Sequence, residues 1–459
     1  MTETASPVEA ATGESGRPRA LTRSIGVFGG TLLTLSCLTP ASSLFVVVPP
    51  LLGETGTGTA LTIGLAALLC VGVALCYSEL GTLVPSAGGE YAMVGTVAGR
   101  FAGWMMFVLS LIIVLIIPPI IALGTADYLH AVLDVDPRVA GAVVMLLGTL
   151  MGLLNLRANA WITGIFLALE MVAIAVVAFL GFGNAQRPVS VLVNPTVTDT
   201  AEPLKAITII AGLAVALFVL QGFSTAVYLS EEMHNPRRTV VRTVLWTLGI
   251  GSLVVLVPVV AITLGAPDIA TLTGGDIAAM VTAWSTSGLG VFVSLSIALA
   301  IINAVIVMVI QNSRVLYASA RDQTWPDALN KALSTVGNRF SSPWVSTLVV
   351  GVGGAALCFV SVDTLNGVTS VVVAALYLGV AVASLTGRRR AHRDTPAWRM
   401  KGWPVLPAVI ALVLIHVVVQ QAPQDLLITL GVLIAATVYW VAYLRPRSAN
   451  RFLVTVPTE

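Results

Sequence analysis

A carboxylate, a glutamine and a cluster of hydroxyls stand inside otherwise apolar runs of this chain, and their spacing limits the chemistry open to them. The run from Gly29 to Phe45 carries Ser36, Thr39, Ser42 and Ser43 around Pro40. Proline has no N–H and its ring clashes with the preceding turn, so the carbonyl of Ser36 loses its helical partner. If the helix breaks there, a second half begins at about Ser42, just past Ala41. The N–H groups of Ser42, Ser43 and Leu44 then point, unpaired, into the apolar interior. Such a half-helix N-terminus suits an anion, and a carboxylate in particular. The competing reading is a proline kink whose serines bond back to their own helix.

A second interruption lies in the run Gly212 to Thr225, where Gln221 stands beside Gly222. Glycine permits the backbone angles that unwinding demands, and Gln221 can satisfy freed groups. Carbonyls ending the first half-helix would favour an ammonium group. A glycine that lets two helices pack closely is the plainer alternative. Glu170 lies some nine residues into an apolar run, about 13 Å along a helix and too deep for easy snorkelling. It could carry a proton, ligate a cation, neutralise a basic substrate, or stay protonated against a neighbouring helix. Glu79 is only about four residues from a helix end, consistent with an inner-gate ion pair or a snorkelled side chain. Asn303, Asn366, Thr369 and Ser370 either line a pathway or bond between helices. Asp127 reads as interfacial. The four cysteines and four histidines are scattered without metal-ligand spacing, so no metal site and no cofactor is expected.

The elements that must hold these residues are set by composition. Of 459 residues, 57% are hydrophobic and 10% charged, against about 25% charged in soluble domains. That excludes three soluble domains and a disordered chain, and the net charge of +2 implies nothing about nucleic acid, which is not expected as a partner. Twelve apolar runs of spanning length start near Val27, Ala60, Phe101, Val139, Trp161, Ala206, Val240, Gly288, Pro343, Leu365, Trp403 and Leu426. With the N-terminus inside, alternate loops place 21 Lys and Arg on the inner side and only Arg138, Arg187 and Lys205 outside. Both termini are therefore expected in the cytoplasm. Residues 1–24 read as a disordered cytosolic tail, 25–387 as the transport core, 388–401 as a basic loop attracted to anionic lipid, 402–445 as helices 11 and 12, and 446–459 as a C-terminal tail. The breaks fall in spans one and six, as expected if spans one to five and six to ten form an inverted repeat.

Four signatures resemble those of the amino acid–polyamine–organocation (APC) superfamily of permeases. Tyr77-Ser78-Glu79-Leu80 with Pro85-Ser86-Ala87-Gly88-Gly89-Glu90-Tyr91 is similar to Y-x-E-L…P-x-x-G-G-x-Y. Glu231 to Thr239 is similar to E-E-x-x-N-P-x-R-T, and Tyr317 to Pro326, with Arg321 and Asp322, to Y-x-x-x-R-D-x-x-x-P. Phe218 to Phe223 resembles the F-x-x-F-x-G segment. The resemblance implies an all-α membrane protein of twelve transmembrane helices, in the leucine-transporter-type 5+5 inverted repeat plus two C-terminal helices. It also implies alternating access, with substrate at the two breaks. The family's G-S-G loop falls on Ala41-Ser42-Ser43, where both glycines are replaced. Phe218 falls where relatives carry an aromatic lid, and Glu170 near a titrating lysine of some relatives.

The expected function is secondary active amino acid transport across the plasma membrane, driven by a proton or by sodium. The expected substrate site is Ser36, Ala41, Ser42, Ser43, Leu44, Phe218, Gln221, Gly222 and Asn303. Glu170 is the coupling residue, and Glu79, Arg321 and Asp322 belong to the gate or the structural motif. The alternatives are an amino acid or polyamine exchanger without proton coupling, or a ligand-binding sensor, which would call for longer cytosolic tails. An enzyme would need a nucleophile–base pair or metal cluster in the bundle, and the sequence offers none.

Overall fold

A computed structural model describes residues 25–86, 88–129, 133–154, 156–197, 203–337, 342–388 and 398–453, with the backbone only at 156–164, 167 and 231. The 1–24 tail and most of the 388–401 loop fall outside the described residues. Within them the chain is helical, with one isolated backbone bridge, between Ile25 and Met233. In order come α1 (Val27–Leu38), α2 (Pro40–Ser42), a π-type turn (Ser43–Val47) and α3 (Val48–Thr55), then α4 (Thr59–Leu83), α5 (Gly89–Ala98), α6 (Arg100–Leu123), α7 (Thr125–Leu129), α8 (Pro137–Leu153) and α9 (Leu156–Gly183). Then α10 (Ala206–Val219), a tighter 3-10 helix (Phe223–Glu232), α11 (Pro236–Gly265), α12 (Ile269–Gly274), α13 (Ile277–Trp284) and α14 (Ser287–Arg321) follow. The last are α15 (Asp327–Leu333), α16 (Trp344–Leu357), α17 (Val362–Gly387), α18 (Val405–Val419) and α19 (Pro423–Tyr439), which ends in a second π-type turn (Trp440–Leu444).

Every apolar run read from the sequence falls on one of these helices. Among the described residues, six helical stretches are long and apolar enough to cross a membrane, a seventh if a bent pair counts as one span, and four shorter apolar helices accompany them. Large apolar side chains such as Phe28, Leu68, Phe179 and Leu412 face outward, as lipid-facing residues do and as water-facing ones rarely do. The chain is a multi-pass membrane protein.

Several helices that start beside loops are capped by the side chain of the residue just before them. Asp136 accepts from the N–H of Arg138 and Val139, Asp268 from Thr271, Asp276 from Ala279, Thr286 from Leu289 and Ser361 from Thr364. Proline inside a helix also finds a remedy. Pro118 in α6 removes the donor that the Val114 carbonyl would use, and Asn312 of α14 supplies one through Nδ2 at 2.6 Å. The first span lies inside the bundle: α1 packs on α11 and α14, and α2 on α14 and α9.

Candidate functional site

Both expected interruptions exist. The first is at Thr39, a β-branched residue held in the left-handed region (φ 45°, ψ 68°) between α1 and α2. Its backbone costs about 1–2 kcal/mol, which the surrounding packing must hold in place. The second half-helix begins at Pro40, two residues earlier than the sequence reading put it. The reason is local: Pro40 is suited to the first position of a helix, where no N–H is needed. As a result the Ser43 amide is not free. The Ser43 N–H already donates to the Thr39 carbonyl at 3.0 Å, and the Ser43 hydroxyl caps the Leu38 carbonyl at 3.3 Å. The bare end is instead the amide of Ala41, followed by that of Ser42.

The Ala41 N–H donates to Glu170 Oε1 at 2.7 Å. Thr39 makes no side-chain cap, so a helix that starts in the membrane interior is capped by a carboxylate 129 residues away in sequence. Glu170 is 3% exposed and lies about 21 Å from the start of α9 at Leu156. That is deeper than the 13 Å expected, because α9 begins five residues before Trp161. The Glu170 bond is of the kind that stabilises a carboxylate at a helix N-terminus.

The second interruption follows α10. Leu220 and Gln221 leave the helix, Gly222 adopts φ 127°, and the chain resumes as the Phe223–Glu232 segment, bent by 40°. Gly222 lies directly on the first break: a Cβ there would stand 2.6 Å from Leu38 Cα. Only glycine fits both the angle and the approach. The two breaks therefore abut through Leu38 and Gly222, and the nearby Thr225 hydroxyl closes on the Gly222 carbonyl at 2.7 Å.

The remaining expected residues divide. Ser42, Asn303, Asn366 and Thr369 are buried, and each holds a polar atom without a hydrogen-bond partner among the described residues. Such atoms cost about 1–3 kcal/mol each and are what a polar ligand path would present. Phe218 is buried one residue from the end of α10. Ser36 is spent on its own helix, its hydroxyl donating to the Leu32 carbonyl at 3.0 Å, and Ser370 likewise on Asn366. Cys37 receives Gln311 Nε2 at 2.8 Å, joining α1 to α14.

Glu79 makes a bidentate pair with Arg388, at 2.5 and 2.7 Å, and accepts from the Met400 N–H at 2.9 Å. Arg388 also reaches the Met400 carbonyl and lies over the Trp403 ring. This knot ties the basic ends of α4, α17 and the approach to α18. Arg321 is half exposed beside Asp322, which accepts from Tyr91 OH at 2.9 Å. The sequence reading passed over Glu90 except as a motif letter, yet it is buried and accepts from Tyr77 OH at 3.1 Å and from Tyr228 OH. Two hydroxylated aromatics and a carboxylate in the shared motifs were the available signal.

Residues 445–450 are exposed, yet the tail is anchored just beyond them. Arg100 grips the carbonyls of Ser448, Arg451 and Phe452 at 2.7, 2.5 and 2.9 Å. Phe452 is buried among Tyr91, Trp104, Phe107 and Trp440.

Sequence comparison with known proteins gives the family. The chain is 22% identical over 459 residues to the branched-chain amino acid permease BcaP of Bacillus subtilis (strain 168), covering 94% of this chain and 95% of that one. It is 27% identical to the branched-chain amino acid permease BcaP of Lactococcus lactis subsp. cremoris (strain MG1363), over 77% and 80% of the two chains. Large neutral amino acids transporter small subunit 2 of Homo sapiens is 25% identical over 69% of this chain and 61% of its own. The model of the amino acid permease family matches residues 25–443, and on that match over nearly its whole length the chain belongs to the amino acid permease family.

Proposed function

We propose that the chain carries apolar amino acids inward across the plasma membrane by alternating access, with one proton moving alongside each substrate. The observation that carries the reading is the bond from the Ala41 amide to Glu170. A helix N-terminus offers about half a positive charge, enough to compensate one carboxylate and not two. With Glu170 on Ala41, a substrate carboxylate arriving at the adjoining Ser42 amide places a second negative charge on the same helix end. Like charges in so confined a site are relieved when one of them takes a proton. Substrate and proton thereby bind together.

The substrate class rests on two supports. The carboxylate demand favours amino acids over polyamines. The named substrates of the relatives, branched-chain and large neutral amino acids, match the apolar side chains of Leu38, Leu44, Phe218 and Leu220 at the breaks. One proton moving down about 100 mV and one pH unit releases roughly 3.7 kcal/mol, enough for about 500-fold accumulation of a neutral solute. The arginine asymmetry places both termini and the Glu79–Arg388 knot on the cytoplasmic side.

Uptake of labelled leucine into proteoliposomes, with and without an acidic exterior, tests the reading. Stimulation by the gradient is expected. Equal uptake with and without it, in the presence of leucine on both sides, would establish exchange instead.

A further inference from the structure

We propose that Glu90 is the latch of the inner gate, holding shut a single leaf made of the cytoplasmic halves of both broken helices. The inference rests on the alternating-access reading but concerns a cluster which that reading leaves unused.

The leaf is defined by backbone. The Ile25 N–H donates to the Glu232 carbonyl at 2.9 Å and the His234 N–H to the Ile25 carbonyl at 2.9 Å. These two bonds tie the start of α1 to the end of the Phe223–Glu232 segment. Gly30 lets the two come close, since a Cβ there would meet Met233 and Thr243 at 3.1 Å. At their other ends both halves finish at residues with positive φ, Thr39 and Gly222. Two rods joined at one end, with an irregular joint at the other, turn together.

The latch holds this leaf to the rest of the bundle. Tyr228 lies on the leaf and donates to one oxygen of Glu90, while Tyr77 of α4 donates to the other at 3.1 Å. Gly89, with φ 55°, leaves the space that the Tyr228 ring fills. Between the latch and the breaks sit three rings. Phe223, the first residue of the leaf, meets Tyr77 edge-on at 6.0 Å and Tyr377 at 5.7 Å, and Tyr77 meets Tyr377 at 6.1 Å. All three are fully buried, so they seal the route from the breaks to the cytoplasm. The leaf cannot swing without parting Tyr228 from Glu90.

The experiment compares two tyrosine variants that delete a bond to the same carboxylate. A reporter cysteine replaces buried Ala226 on the leaf, in full-length protein whose four native cysteines are replaced. Its labelling by a maleimide is followed from the cytoplasmic side. Tyr228→Phe removes one of the leaf's bonds to Glu90, leaving that of Ser224, and is expected to raise the labelling rate about tenfold, as for the loss of roughly one hydrogen bond. Tyr77→Phe leaves the leaf bonded and is expected to change the rate by less than about twofold. Equal rates in both variants, with equal losses of melting temperature, would mean that Glu90 only packs the bundle, and the latch is then wrong. As a second measurement, a disulfide between Ile25→Cys and Met233→Cys should leave counterflow intact if the halves turn as one; abolished counterflow overturns the paired leaf. Both comparisons are made relative to the parent protein without substrate. A failure of leucine to alter labelling in the parent bears on the transport reading alone.

Discussion

Glu170 and Glu79 are both buried acids, and the structure gives them opposite surroundings. Glu79 has both oxygens matched by Arg388 and the Met400 amide, an arrangement that serves structure. Replacing Glu79 by Ala leaves Arg388 without its partner, and thermal unfolding in detergent should show a loss of about 2–3 kcal/mol, below the full value for a deeply buried pair because Arg388 is partly exposed. Glu170 meets only one backbone donor among the described residues. Glu170→Gln should retain substrate binding, because the amide oxygen still accepts from Ala41, yet lose the stimulation of uptake by an acidic exterior. Wild-type uptake should rise as the outer pH falls, since protonation on that side loads the carrier, and the variant should be flat. An ion pair for Glu79 and a deeply buried acid at Glu170 were legible because charge in an apolar run is costly and so conspicuous. The partners were not legible, for Arg388 is 309 residues from Glu79 and Ala41 carries no side-chain chemistry at all. Glu90 escaped notice because a carboxylate near a helix end reads as solvated until tyrosines from distant segments are folded onto it.

At the scale of the element, the informative residues were those that cannot continue a helix. Pro40 and Gly222 marked both breaks, but the rule that locates a break does not say which side of the proline the new helix claims. Pro40 took the first helical position and Thr39 absorbed the strained angle, which moved the helix start two residues, and the first open amide one residue, toward the N-terminus. Gly222→Ala should abolish uptake, since a Cβ would strike the Leu38 backbone and φ 127° is closed to alanine. Binding by thermal shift should vanish with it if the breaks form the site. Pro118 carries a different lesson: its helix continues because Asn312 bonds the orphaned Val114 carbonyl. Asn312→Leu should therefore destabilise the protein by about 1–3 kcal/mol while leaving the substrate dependence of any remaining uptake unchanged. Melting temperature and Michaelis constant measured on the same preparation separate the two effects.

On the scale of the whole molecule, composition and the apolar runs made the multi-pass membrane character plain before any coordinate. The docking of the chain's end was not visible. Residues 446–453 look like a polar tail, and nothing local in Arg451-Phe452-Leu453 announces that Phe452 fills an aromatic cavity beneath α5, α6 and the end of α19. The information lies in Arg100, which holds three carbonyls of that segment from another helix. Phe452→Ala should cost about 3 kcal/mol of stability, read as a fall in melting temperature. The central claim is that a broken helix end, shared by Glu170 and the substrate carboxylate, binds proton and amino acid as a pair. The most direct measurement reverses the usual assay: a leucine gradient is imposed on proteoliposomes at equal pH and the internal pH is followed with a trapped dye. Leucine entering should acidify the lumen in the wild type and leave it unchanged in Glu170→Gln. Leucine uptake without acidification in the wild type, or undiminished acidification in the variant, would contradict the account.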